Sequence, residues 1–107
     1  MNTKNFDFEP EFKSIPTIEK AAELLKTDHT HAILMSLNPG DYIEKHTAGM
    51  EVSFFLSEGE LDFEYGDEVK KITAGTMVQG DKTTLHGFRN NSDKKVKILV
   101  IKHLTTK

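Results

Sequence analysis

The chain has 107 residues and a mass of 12.1 kDa, enough for one domain that buries roughly 65% of its unfolded surface. Seventeen acidic against fourteen basic residues leave a net charge of −3, which argues against a nucleic-acid footprint, since that needs a clustered basic excess. Cysteine is absent, so disulfides, thiolate metal sites and cysteine nucleophiles are excluded; no apolar run approaches the ~20 residues of a membrane span.

The start, MNTKNFDFEPEF, lacks an apolar signal-peptide core, and the expectation is a cytoplasmic protein. Residues 1–15 read as an extended arm anchored by Phe6, Phe8 and Phe12. Pro16 then opens a stretch that Ser14 or Thr17 can cap. In it Ile18, Ala21, Ala22, Leu24 and Leu25 recur at helical spacing, and the prediction is a short amphipathic helix of about three turns. Residues 1–30 thus form an N-terminal arm and helix belonging to the same domain as residues 31–107.

From His31 onward short strand-like runs alternate with turn signals. The runs are 31–37, 42–46, 52–57, 61–65, 68–72, 77–78, 85–90 and 96–103. Asn38-Pro39-Gly40-Asp41 has Pro and Gly placed for a type II turn, and Gly66-Asp67 marks a tight hairpin. Val52, Phe54 and Leu56 alternate with Ser53, Phe55 and Ser57 to give one apolar face. The acids from Glu58 to Glu68 crowd one hairpin and read as a solvated outer face. About eight short strands with Gly-rich turns predict an all-β sandwich or barrel.

Two stretches stand out together. One runs Gly40-Asp-Tyr-Ile-Glu-Lys-His46-Thr-Ala48-Gly-Met-Glu51-Val52-Ser-Phe-Phe-Leu-Ser-Glu-Gly59; the other runs from Ala74-Gly75 to His86-Gly87-Phe88-Arg89-Asn90. The pair resembles the two motifs of the cupin family in its small, single-domain, RmlC-like form. The resemblance covers about residues 31–103 and implies a double-stranded β-helix, or jelly-roll barrel. In metal-loaded members two histidines and a glutamate of the first motif and a histidine of the second meet inside the barrel. Such a set suits divalent iron, manganese, nickel, copper or zinc. His46 and His86 match two of these four positions. Ala48 stands at the second histidine, and Val52 at the glutamate. Glu51 is one residue early, which in a strand reverses the face; it joins His46 and His86 as a metal ligand only if a bulge near Gly49 turns it inward.

The sequence leaves three roles open and does not decide whether the protein is an enzyme. The first is binding of a small molecule inside the barrel near His46 and His86, with Ala48, Met50, Val52, Phe54 and Phe88 as lining and no complete metal site. The second is a metal-dependent dioxygenase or isomerase, with Gln79 as a further candidate ligand. The third is acid–base chemistry on one histidine. Met35, Met77, Phe63 and Tyr65 are further candidates for the cavity wall. His29 and His31 form a second H-x-H pair, read as surface histidines, and the lysines around His103 are candidates to meet the acidic hairpin of a second subunit. No cofactor is fixed beyond a candidate divalent transition metal. The resemblance also implies a homodimer, and no nucleic-acid or membrane partner is expected. No G-x-S-x-G elbow or phosphate-binding glycine loop is present.

Overall fold

The computed structural model describes residue 3 and residues 15–104. Nine strands are present among them: β1 (Lys20–Lys26), β2 (Thr30–Leu37), β3 (Tyr42–His46), β4 (Glu51–Glu58), β5 (Glu60–Tyr65), β6 (Glu68–Thr73), β7 (Met77–Gly80), β8 (His86–Arg89) and β9 (Val96–His103). They form two antiparallel sheets, ordered β1-β2-β9-β4-β7 and β3-β8-β5-β6. Consecutive strands cross repeatedly between the sheets, as in a jelly roll. No helix among the described residues is long and apolar enough to cross a membrane.

The core lies between the sheets, and strand alternation builds it. Val52, Phe54 and Leu56 of β4 are buried, as are Val96, Ile98 and Val100 of β9, Leu61 and Phe63 of β5, and Phe88 of β8. Phe54 packs edge-on against Phe63 at 4.9 Å, and Phe63 stacks with Phe88 at 6.0 Å.

The predicted amphipathic helix is corrected: its segment is strand β1, paired with β2 from Lys20↔Ser36 to Lys26↔His31. The register slips between Glu23 and Leu25. That bulge breaks the two-residue alternation and leaves apolar residues bunched at 21–22 and 24–25, a pattern that imitates a helical stripe. A helix of so few turns is marginal alone. The extended form instead gains a full ladder, a Glu23–His31 contact at 2.7 Å and a Glu19–Ser36 hydrogen bond at 3.0 Å. Ile18 and Ala21 still reach the core. The proposed anchors Phe6, Phe8 and Phe12 lie outside the described residues.

Two predicted turns are observed. Gly40 has φ +92° and the Asp41 amide donates to the Asn38 carbonyl at 2.9 Å, the geometry of a type II turn with glycine at its third position. Tyr65 pairs with Glu68 across Gly66-Asp67. Asn90, fully buried, ties two turns together: its side-chain amide donates to the carbonyls of Leu37 and Lys94, and its oxygen accepts from the Ser92 amide and hydroxyl.

Candidate functional site

His46 and His86 come from the paired strands β3 and β8, and their register is irregular. Ile43 faces Phe88 and His46 faces His86, so Glu44 and Lys45 together stand opposite Gly87 alone. Two residues against one is a β-bulge. Simple alternation would put Ile43 and His46 on opposite faces; the extra residue puts both on the side of Phe88 and His86. Gly87 permits the bulge to close. A Cβ there would lie 2.5 Å from the Ile43 carbonyl oxygen and 2.8 Å from the Lys45 amide nitrogen, so any side chain would force the strands apart.

The two imidazoles meet edge to face, with ring centroids 5.0 Å apart. His86 is 2% exposed and stands edge-on to Phe54, also at 5.0 Å. Its Nδ1 is buried and has no hydrogen-bond partner among the described residues. Burial pushes the His86 imidazole below the ordinary histidine range; the neighbouring His46 and the Lys102 ammonium add to this, while the Thr84 backbone and the Asp81 carboxylate oppose it. His46 is exposed, and its Nδ1 lies 2.9 Å from the Glu44 carbonyl oxygen inside the bulge. A carbonyl only accepts, so Nδ1 carries a proton and donates it to the Glu44 carbonyl.

The histidines open on a cavity of about 120 Å³. Its wall is apolar, made by Met35, Ile43, Ala48, Val52, Phe54, Phe88 and Val100 with Ile15 at one end. His46, His86 and Lys102 are its polar side chains. The fold thus gathers His46, Ala48, Val52, Phe54, His86 and Phe88 around one space. Met50 packs on the core cluster beside it, outside the cavity lining. Met77 is 57% exposed, Phe63 is core, and the Tyr65 hydroxyl donates to Asp81 at 3.2 Å; none of the three lines this cavity. Sequence reasoning missed Lys102. The signal was available in β9, where residues 96, 98, 100 and 102 share a face.

The residues do not fit a metal ion. Among the described residues no group of three or more His, Asp or Glu side chains converges. Glu51 is exposed and off the cavity, whereas Val52 is 1% exposed and on it; the inward turn required for Glu51 as a ligand does not occur, because β4 keeps its alternation. Gln79, on the edge strand β7, accepts a hydrogen bond from Ser53 of β4 at 2.5 Å and is also off the cavity. Two imidazoles with an ammonium on the same wall are a poor host for a cation.

The other histidines have local roles. His31 meets Glu23, His103 Nε2 lies 2.8 Å from the Ser53 hydroxyl, and His29 is exposed. Lys95 pairs with Glu19 at 3.1 Å and Lys97 with Glu58 at 3.7 Å, both within the chain.

The family model described as Cupin domain matches residues 33–102. No curated protein matches the sequence. Among solved structures, KdgF from Halomonas sp. superimposes with a TM-score of 0.80 at 14% identity, covering 97% of this chain and 94% of that one. An RmlC-like cupin with a double-stranded β-helix fold from Methanocaldococcus jannaschii gives 0.77 at 18% identity, covering 96% and 92%. A predicted oxalate decarboxylase from Thermotoga maritima gives 0.76 at 22% identity, covering 79% of each chain. At these identities the likeness is one of fold, and it spans proteins of differing description.

Proposed function

The chain belongs to the cupin domain family, and on that premise we propose that it binds one small molecule in the cavity framed by His46 and His86, without a resident metal. The observation that carries this reading is His86: a buried imidazole with an unpartnered ring nitrogen, in a wall that is apolar apart from His46 and Lys102. Leaving such a polar group unsatisfied costs about 1–3 kcal/mol, and small-molecule sites concentrate a few polar groups of this kind in an apolar concavity. The volume sets the ligand's size. Cavities of about 150 Å³ accommodate benzene, so about 120 Å³ holds a short aliphatic or single-ring body.

The pair also suits proton transfer, since burial favours the uncharged form of His86 and its ring stands beside that of His46. Binding comes first, because a proton acceptor acts only on a molecule held beside it.

The test is a methyl-resolved NMR screen of the tag-free protein against neutral and charged compounds of benzene-like size. Binders should shift the Met35, Val52 and Val100 methyl signals together, and His46→Ala, an exposed substitution, should weaken them severalfold. A panel that leaves those methyls unmoved, or moves only distant ones, contradicts the reading.

We also propose a homodimer through the outer face of the five-stranded sheet. There Ala22, Leu34, Leu99, Phe55 and Met77 stand in register across all five strands. Leu34, Leu99 and Phe55 are only half-buried and Met77 is exposed, leaving an apolar row of the kind that marks interaction surfaces.

A further inference from the structure

Lys102 is a lysine in a core-facing position. It follows Val96, Ile98 and Val100 on the inner face of β9, and those three are 0%, 0% and 4% exposed. Its own register partners are Val52 on β4 and His31 on β2. Neither supplies a carboxylate. Glu23, on the adjoining β1, is engaged by His31 Nε2 at 2.7 Å. Asp81, across the site near His86, is saturated by the Thr83 and Thr84 amides and hydroxyls and by Tyr65. Among the described residues Lys102 has no ion pair and no acid shares its cavity wall.

Lys102 is half-buried, so its ammonium keeps part of its hydration, but it lines the cavity without a counter-charge among the described residues, and an anion bound there would supply a charge-assisted partner. The groups beside it bear no charge that could serve. An imidazole can supply no negative charge, burial disfavours the charged form of His86, and the rest of the wall is hydrocarbon. The positive field of Lys102 therefore falls on the cavity itself, and it is felt at His86, whose protonation it opposes.

From this arrangement we infer that the cavity selects a small organic anion, a monocarboxylate with an apolar body, and that Lys102 is the residue that recognises its charge. The body lies against Met35, Val52, Phe54 and Phe88, and the carboxylate meets the ammonium where His46 opens to solvent. A monocarboxylate fits better than a polyanion, because the wall offers one fixed positive charge, that of Lys102. The inference rests on the small-molecule reading above and narrows it to one chemical class.

The experiment compares isovalerate with isovaleramide, which has the same shape without the charge, by NMR titration of the unmodified protein, Lys102→Met and Lys102→Arg. The unmodified protein should bind isovalerate roughly tenfold or more tighter than the amide, the worth of one charge-assisted hydrogen bond. Lys102→Met should bring the two within about twofold of each other by removing that bond, with amide binding retained. Lys102→Arg should keep the preference. Equal binding of acid and amide by the unmodified protein overturns the anion inference and leaves the cavity reading standing. A preference that survives Lys102→Met overturns Lys102 as its source. Binding of neither probe overturns both.

Discussion

His46 faces His86 across two strands because Glu44 and Lys45 bulge opposite Gly87. The relationship is backbone-made: one extra residue reverses the face of a histidine that would otherwise point away from the barrel, and one missing Cβ lets the strands close around it. The same bulge supplies the Glu44 carbonyl that fixes the His46 tautomer.

Gly87→Ala should therefore damage both fold and site. The new methyl meets backbone atoms at 2.5 and 2.8 Å, which cannot rotate away. The expected loss is about 2–3 kcal/mol of unfolding free energy, as for overpacking elsewhere. Urea denaturation measures it. Stability unchanged within error would mean that β3 and β8 do not approach as described.

Stability should fall on mild acidification. The native His86 resists protonation, whereas the unfolded histidine accepts it near 6.5. Below that value the unfolded state binds the extra proton, so stability is full above about 6.5 and declines as pH drops toward the lowered native value. Urea midpoints across this window should decline in the unmodified protein and flatten in His86→Leu. An identical decline in both would remove His86 as the cause. Asp81 contributes in full above the ordinary carboxylate range and loses that contribution as pH falls below it, because its turn hydrogen bonds hold its carboxyl well below 3.8; that loss lies in stronger acid than the His86 window.

Metal should add little. Protein purified without tag or chelator is expected to carry less than about a tenth of an equivalent of iron, manganese, nickel, copper or zinc, and excess metal should not raise its melting temperature by mass action. A near-stoichiometric metal content that His46→Ala abolishes would contradict the two-imidazole reading.

Dimerisation should depend on the outer apolar row. Sedimentation analysis should find a species near twice 12.1 kDa, and Met77→Glu, an exposed change on edge strand β7, should shift it toward monomer. A monomeric unmodified protein, or a dimer indifferent to Met77→Glu, contradicts that interface.

Strand grammar was legible because inner residues repeat at period two: Val52, Phe54 and Leu56 are buried as their alternation required, and that alternation also keeps Glu51 outside. The turn at Asn38-Pro39-Gly40-Asp41 was legible because only its backbone angles need those residues. Bulges hid the rest. At Leu24 a bulge bunched apolar residues into a helical imitation, and at Glu44-Lys45 it inverted a face that alternation alone would assign to solvent. Both depend on what the partner strand presents, which no local window contains. Lys102 was a different case: its position was readable from β9, but a lysine at the end of a strand is ordinarily a solvated residue.

The central claim is that one molecule occupies the space between His46 and His86. Histidine-ring nitrogen spectra during an isovalerate titration test it most directly. The ring signals of His46 and His86 should move together along one binding curve, while those of His29, His31 and His103 stay in place. Movement of the latter three, or a curve for His46 that His86 does not share, would contradict it.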